Sequence, residues 1–280
     1  MADITSFANP KIKLIRKLQE RKQRQKNGLY YIEGLRIIGD ALQHGAVFDS
    51  VFYAPDLLHS DFGMALLDQC RNQGISVYDV SAEVFTSFAN KDHPQGIAAV
   101  MQMQPQSTPV LSRQERQIWV ALDAVADPGN LGTIFRTQDA AAGAGLFLLG
   151  NCTDPFDPAV LRGSMGAFYT QPFYAMSVEE FGAWKVRHKV WIVGTSDAAQ
   201  KDYQAIKYPQ QMVLLMGSER EGMHADTQAI CDEIVSIPMA GSADSLNLSI
   251  ATAVILYEIF NQHRISGLVD GGKNDRLSIR

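Results

Sequence analysis

The sequence lacks the patterns that mark secreted, disulfide-bonded and membrane-spanning proteins. Its three cysteines, Cys70, Cys152 and Cys231, lie far apart and form no CxxC pair, which excludes a disulfide framework and favours the reducing cytoplasm. No apolar run reaches the roughly 18 residues that a membrane-spanning helix needs. The first residues show no basic stretch followed by an apolar one, so we expect no secretory signal.

Motifs for metal and nucleotide-phosphate chemistry are also missing. No GxGxxG follows a predicted strand, since Gly143-Ala-Gly145 precedes one, and there is no Walker loop, HExxH motif or nucleophile elbow. The six histidines show no metal-ligand spacing. The sequence therefore predicts no metal site and a chemistry that needs none.

Length and composition instead favour an α/β protein of two domains. The chain has 280 residues, 46% of them hydrophobic, which is enough to build packed cores. Alternating strand and helix patterns predict a smaller α/β domain at 1–103 and a second α/β domain at 117–266. Between them, residues 104–116 are polar and contain prolines, which is typical of a linker. The Gly-rich tail, 267–280, is expected to be flexible.

Charge is unevenly distributed along the chain. The net charge of −5 argues against a general nucleic-acid binder. One basic helix is predicted at 9–26, with Asn9 as its N-cap, an apolar face at Ile12, Ile15 and Leu18, and Gly28 ending it. Its eight Lys and Arg residues face only one acidic residue, Glu20. They form either a solvated helix face or an arm that contacts RNA phosphates.

Three polar stretches follow predicted strands of the second domain. The first runs from Asp127 to Arg136, the second from Gly217 to Gly222, and the third from Ile237 through Ser249 into a long apolar helix. Each has an ordinary structural interpretation: a turn with a surface ion pair, a turn with helix capping, and a helix N-cap at Ser245. Parallel strands that end in polar loops also form ligand pockets, so a binding site at these loops is the alternative.

Together the three stretches resemble the SpoU, or TrmH-like, branch of the SPOUT RNA methyltransferases. The residues that match the family motifs are Asn130, Gly132 and Arg136; Gly217, Ser218, Glu219 and Gly222; and Ile237, Pro238, Met239, Ser245, Leu246, Asn247, Leu248 and Ser249. The segment Arg162-Gly-Ser-Met-Gly-Ala is similar to another family segment. The chain departs from the family pattern at Arg220, where Gly is frequent, and at Asp244, where Glu is frequent. Residues 9–13 and 31–36 resemble the ribosomal-protein-like RNA-binding domain that is fused to this family.

The resemblance implies a fold, a cofactor and site residues. The expected fold is α/β: a parallel-sheet SPOUT domain with a deep trefoil knot, preceded by a smaller α/β RNA-binding domain. The expected reaction transfers a methyl group from S-adenosylmethionine to a ribose 2′-hydroxyl of RNA. The implied cofactor-binding residues are Gly217, Ile237, Met239, Ser245, Leu246, Asn247 and Thr195. The implied catalytic residues are Arg136, Asn130 and Glu219, with Glu219 holding either Arg136 or Asn130.

The resemblance also implies partners. The expected substrate is structured RNA, and the added domain favours 23S or other ribosomal RNA over transfer RNA. The expected assembly is a homodimer with its active site near the subunit interface. The residues expected to bind RNA are Lys11, Lys13, Arg16, Lys17, Arg21, Arg24 and Arg36. Two other interpretations remain open: a non-catalytic RNA-binding dimer, and a small-molecule transferase of another α/β class, which leaves the basic helix unexplained.

Overall fold

A computed structural model of the chain describes residues 3–104, 108–109, 111 and 116–267. Part of the predicted linker lies outside this range. The predicted tail lies almost wholly outside it. The chain forms two compact units. The first comprises the described residues up to 104 together with Leu131–Arg136 and Thr153–Thr170, and the second holds the remainder. Across the described residues, every helix is too short or too polar to cross a membrane.

The first unit is built on a four-stranded mixed sheet. Its strand order is β1-β4-β2-β3, with β4 antiparallel to both neighbours and β2 parallel to β3. The elements up to residue 102 are α1 (Pro10–Lys17), α2 (Arg21–Asn27), β1 (Leu29–Glu33), α3 (Leu35–Gln43), β2 (Phe48–Tyr53), α4 (Asp61–Asn72), β3 (Ser76–Asp79), α5 (Ala82–Thr86) and β4 (Ile97–Gln102). This alternation agrees with the sequence-based prediction of an α/β arrangement.

The basic segment differs from the prediction of one helix at 9–26. The chain leaves α1 after Lys17 and starts α2 at Arg21, with Glu20 in extended conformation between them. The Arg24 guanidinium explains the break, because its Nη1 donates to the Leu18 carbonyl at 2.9 Å and to the Gln19 carbonyl at 2.8 Å. Carbonyls that a continuous helix would pair internally are thus satisfied by a side chain.

Arg24 is consequently removed from the residues expected to bind RNA. Its side chain is only 2% exposed, and its Nη2 lies 2.6 Å from Asp154 Oδ2 and 3.8 Å from Asp157 Oδ2. A guanidinium that is buried and paired in this way has no face left for a phosphate. The predicted apolar face is confirmed, since Ile12, Ile15 and Leu18 are fully buried.

The second unit is built on a six-stranded sheet of order β10-β8-β9-β5-β6-β7, and every pair in it is parallel. The elements after residue 116 are β5 (Gln117–Asp123), α6 (Pro128–Ala140), β6 (Gly145–Leu149), α7 (Pro158–Gly163), β7 (Phe173–Met176), α8 (Val178–His188), β8 (Trp191–Thr195), β9 (Gln211–Met216), α9 (Ala225–Ala229), β10 (Glu233–Val235) and α10 (Leu248–Ile265). The predicted parallel α/β sheet is confirmed, and the trefoil knot stays a prediction. The short elements β7 and α9 were not predicted.

An aromatic cluster fills one side of the second unit. Trp184 and Phe181 of α8 stack on each other and pack on Phe147 of β6, with 4.6 Å between the ring centroids of Phe147 and Trp184. Central strands β5 and β9 are buried almost along their whole length. Such burial on both faces explains why these strands have continuous apolar sequences instead of alternating ones.

The end of α10 is fixed by a buried imidazole. Arg116 Nε donates to His263 Nδ1 at 2.9 Å, and His263 Nε2 lies 2.9 Å from the Tyr208 carbonyl. Because Nδ1 accepts and Nε2 donates, this geometry requires the neutral ring. Burial lowers the pKa of His263, which favours the same neutral form.

Candidate active site

A cleft of about 550 Å³ opens where β8, β9 and β10 end and α10 begins. Carboxyl ends of parallel strands are the usual ligand-binding edge of such a sheet. All seven residues expected to bind the cofactor line this one cleft: Thr195, Gly217, Ile237, Met239, Ser245, Leu246 and Asn247. The structure therefore brings together segments that lie up to 52 residues apart in sequence, from Thr195 to Asn247.

The turn after β9 forms one wall of the cleft. Ser218 and Gly222 exchange two backbone hydrogen bonds, of 2.9 and 3.1 Å, and Gly222 takes a positive φ of 67°. At Gly217 an added Cβ would lie 2.0 Å from the Gly222 carbonyl carbon and 2.1 Å from Met223 N. Only glycine fits there, so the backbone of the turn closes tightly where it lines the cleft.

The loop before α10 also lines the cleft and has exposed apolar side chains. Met239 is 40% exposed and Leu246 is 37% exposed, although both residues are large and hydrophobic. Side chains of this type on the wall of a cleft offer apolar surface to a flat ring. The cleft is thus lined both by a tight polar turn and by exposed apolar side chains.

The three motif stretches are joined by a chain of side-chain hydrogen bonds. Asn130 Nδ2 donates to Glu219 Oε1 at 2.8 Å, and Asn247 Nδ2 donates to Asn130 Oδ1 at 3.0 Å. Glu219 Oε2 also accepts from the Ala126 backbone N–H, at 3.4 Å. Of the two partners expected for Glu219, Asn130 is the one it contacts. The network fixes the loop before α6, the turn after β9 and the start of α10 relative to one another.

Asn247, not Ser245, caps α10. The Asn247 side-chain oxygen accepts from Ser249 N at 2.9 Å, from Ser249 Oγ at 2.7 Å and from Ile250 N at 3.4 Å. Ser245 lies two residues earlier, in the exposed cleft loop. The prediction of Ser245 as the cap was wrong because the asparagine amide both caps the helix and reaches Asn130.

Arg136 stands apart from this network. It lies on α6, six residues after Asn130, which in an α-helix means about 9 Å along the axis and a different face. Its side chain is exposed and has no hydrogen-bond or ion-pair partner in the described part of the chain, and it is not among the residues that line the cleft. Its predicted catalytic role therefore stays a prediction.

A second polar cluster lies at the end of β5 and was not anticipated. Asp123, 2% exposed, accepts from the His224 backbone N–H at 2.8 Å and from Thr227 Oγ1 at 2.6 Å, and both of its oxygens lie 3.0 Å from His224 Nδ1. This hydrogen bond to Asp123 raises the pKa of His224. An Asp that ends a buried apolar strand was the available sequence signal. The cluster anchors the chain directly after the cleft turn.

Comparison with known proteins agrees with this geometry. Residues 117–257 match the SpoU rRNA Methylase family, and residues 9–99 match the MRM3-like substrate binding domain. The chain is 31% identical over 257 residues to a 23S rRNA (uridine(2479)-2′-O)-methyltransferase of Streptomyces viridochromogenes, covering 89% of this chain and 88% of the relative. It is 30% identical over 261 residues to the 23S rRNA (guanosine(2553)-2′-O)-methyltransferase RlmP of Bacillus subtilis, covering 92% and 99%.

Solved structures extend the similarity to the whole fold. An AdoMet-bound rRNA methyltransferase from Sinorhizobium meliloti superposes with a TM-score of 0.82 at 35% identity, covering 94% of this chain and 97% of that one. The SpoU methyltransferase AviRb from Streptomyces viridochromogenes, in complex with AdoMet, gives a TM-score of 0.82 at 30% identity, covering 92% and 100%. The predicted S-adenosylmethionine-dependent RNA methyltransferase is thereby confirmed, and the chain belongs to the SpoU family of RNA 2′-O-ribose methyltransferases.

Proposed function

We propose that this chain methylates a ribose 2′-hydroxyl of 23S ribosomal RNA in the cytoplasm, acting as a homodimer. The observation that supports it most is that two of the motif stretches line one cleft at the carboxyl edge of the parallel sheet, while the first stretch is hydrogen-bonded to both of them through Asn130. The choice of 23S ribosomal RNA is supported by two relatives that match most of the chain and are 23S rRNA methyltransferases.

The cleft residues fit S-adenosylmethionine. The tight backbone turn at Gly217 offers peptide groups to polar atoms, and exposed Met239 and Leu246 offer apolar surface to an adenine ring. Ile237, Ser245, Asn247 and Thr195 complete the proposed contacts. When bound, this cofactor supplies an activated methyl group, so the protein needs no metal for the chemistry.

The protein's part in the reaction is placement and proton removal. The pKa of an arginine lies above about 12, so Arg136 is a poor base. We assign it instead to binding a substrate phosphate and polarising the hydroxyl, with the proton leaving to that phosphate or to water. An exposed guanidinium that has no partner among the residues described by the structure suits this task. Asn130, held by Glu219, orients the ribose.

We assign RNA binding to basic side chains of the first unit. Lys11, Lys13, Lys17 and Arg21 are exposed along α1 and α2, Arg16 is half-buried, and Arg36 is exposed at the start of α3. Cations on such a surface neutralise RNA phosphates and release counterions. We therefore expect RNA affinity to fall steeply as the salt concentration rises, and an affinity independent of salt would remove these residues from the proposal.

The homodimer is supported by α10. Ile250 and Tyr257, seven residues apart on one helical face, are 50% and 48% exposed, and Val254 between them is half-buried. An apolar stripe of this kind on an otherwise well-packed helix is typical of a subunit interface.

Calorimetry tests whether the chain binds S-adenosylmethionine, the cofactor that the proposed reaction requires. We expect the wild-type chain to bind the cofactor and Gly217→Ala to lose binding, because the added methyl would displace the turn backbone. Gly241→Ala is the matched control, since a Cβ there meets nothing within 4 Å. A wild-type chain that binds RNA but not the cofactor would instead support a non-catalytic RNA-binding protein.

A further inference from the structure

A groove of about 640 Å³ lies between α3 and α4 in the first unit. Its floor includes Leu35, Gly39 and Leu66, and one wall is the ring of Phe62. Leu66 is 4% exposed, whereas Phe62 is 54% exposed. The volume lies within the usual range of ligand sites, roughly 300–1,000 Å³. A large aromatic ring left open at the edge of such a groove offers a flat face for stacking.

Two glycines give the groove its shape. A Cβ at Gly39 of α3 would lie 3.3 Å from Phe62 Cζ and 3.7 Å from Leu66 Cδ2, so glycine keeps the ring uncovered. A Cβ at Gly63 would lie 2.5 Å from Leu58 Cδ1 and 2.9 Å from Leu35 Cδ2. This close packing, together with the N-cap Ser60, fixes the first turn of α4 and thereby the position of Phe62.

Amide side chains form the polar edge of the groove. Gln43 and Gln69 line it without a side-chain hydrogen bond to any residue that the structure describes. Gln95 lines it too, and its Oε1 accepts from the Leu35 backbone N–H at 3.1 Å, which leaves the amide nitrogen for another partner. Gln43 and Gln69 each offer both a donor and an acceptor, as the edge of a nucleobase requires.

Positive charge lies at the end of the groove where α3 begins. Arg36 is 68% exposed, and its Nε is 3.9 Å from Asp40 Oδ2, a separation at which an exposed pair is weak. Lys91 Nζ lies 3.7 Å from the position of a Cβ at Gly34, directly before the helix. The N-terminal end of the helix dipole adds to these cations. An apolar slot beside cations suits a ligand that combines a flat ring with a phosphate.

We propose that this groove receives one unstacked base of the substrate RNA, with Phe62 stacking on the base and Arg36 binding the neighbouring phosphate. Single-stranded bases are recognised in this manner by aromatic and amide side chains. The inference rests on the proposed function, since RNA methylation supplies the RNA partner. It adds a contact that depends on an unpaired nucleotide, whereas the lysines of α1 and α2 bind phosphates of any sequence.

The test uses the full chain and two end-labelled RNA hairpins. One contains a single bulged 2-aminopurine, and the other is fully paired. Fluorescence anisotropy gives the affinity, and 2-aminopurine emission reports stacking. We expect Phe62→Ala to weaken binding of the bulged hairpin by roughly 10-fold or more and to abolish the emission change. Phe62→Tyr, which keeps a stacking ring, should retain both.

The controls distinguish a loss of base stacking from a general loss of RNA binding or of the fold. Met64→Ala removes another exposed apolar residue of α4, one that does not line the groove, and should behave as wild type. Arg36→Gln should lower the slope of log affinity against log salt by about one, whereas Phe62→Ala should not change it. S-adenosylmethionine binding of Phe62→Ala, measured by calorimetry, should equal that of wild type.

Two results would overturn the groove proposal. One is wild-type affinity of Phe62→Ala for the bulged hairpin. The other is an equal loss of affinity of Phe62→Ala for the paired hairpin, or the same loss of affinity in Met64→Ala. Either result would indicate that Phe62 stabilises the fold and does not stack on a base. Failure of the wild-type chain to bind S-adenosylmethionine would contradict the methyltransferase proposal alone, because the RNA measurements need no cofactor.

Discussion

Asn130 and Glu219 are 89 residues apart in the chain and are joined by a hydrogen bond of 2.8 Å. Asn130 is 7% exposed, and its oxygen accepts in turn from Asn247. A buried amide with both of its ends engaged cannot rotate without breaking a bond. The three motif stretches are therefore linked to one another through the side chain of Asn130.

Glu219→Ala should slow methyl transfer by roughly 10- to 100-fold, because Asn130 loses the acceptor that orients it. Affinity for S-adenosylmethionine should stay near that of wild type, which single-turnover kinetics and calorimetry together would establish. Glu219→Gln keeps an oxygen acceptor and should recover part of the rate. Glu221→Ala, at a carboxylate that is 75% exposed in the same turn, is the control. Equal losses of rate in Glu219→Ala and Glu221→Ala would show that the rate depends on the turn as a whole and not on the hydrogen bond between Glu219 and Asn130.

Arg24→Met should destabilise the protein by about 3–5 kcal/mol, because the buried Asp154 carboxylate loses its charged partner. Denaturant unfolding measures the free energy. The double variant Arg24→Met, Asp154→Leu should recover most of the loss, and Lys22→Met, at an exposed neighbour, should change little. If Arg24→Met kept full stability but bound RNA weakly, Arg24 would have to be counted again among the residues that bind RNA.

The stability that His263 contributes should decrease as the pH falls below about 6.5, the ordinary pKa of histidine. The folded pKa of His263 is lowered, so the folded protein takes up its proton less readily than the unfolded chain does. The contribution is therefore fully present above the unfolded pKa and is lost as the pH falls below it. His263→Gln should flatten this dependence in thermal melts between pH 5 and 8. His59→Gln, at an exposed histidine, should retain the wild-type profile; an unchanged profile for His263→Gln would refute the assignment.

Tyr257→Asp should shift the protein from dimer to monomer, since it puts a charge into the exposed apolar stripe of α10. Sedimentation equilibrium measures the molecular mass directly. Val186→Asp is the matched control, because Val186 is a 76% exposed apolar residue on α8. A wild-type chain that sediments as a monomer at micromolar concentration would contradict the proposed homodimer.

Local signals in the sequence predicted much of the fold and the cleft. Apolar strands such as β5 and β9, and the polar stretches after them, were identified because each pattern lies within a few residues. The break between α1 and α2 was missed, since it depends on Arg24 reaching Asp154, 130 residues away. The cap at Asn247 was missed for the same reason, because the Asn247 side chain is also hydrogen-bonded to Asn130, which is distant in the sequence. The four-residue β7 and the five-residue α9 are too short to have a periodic pattern.

The most direct measurement is transfer of radiolabelled methyl from S-adenosylmethionine to 23S ribosomal RNA isolated from a strain that lacks this gene. Digestion to nucleosides and mass mapping identify the product. The account predicts label in a single 2′-O-methylated nucleoside with the wild-type chain, and none with Arg136→Ala although that variant still binds the cofactor. Label on a base, or full transfer by Arg136→Ala, would contradict it.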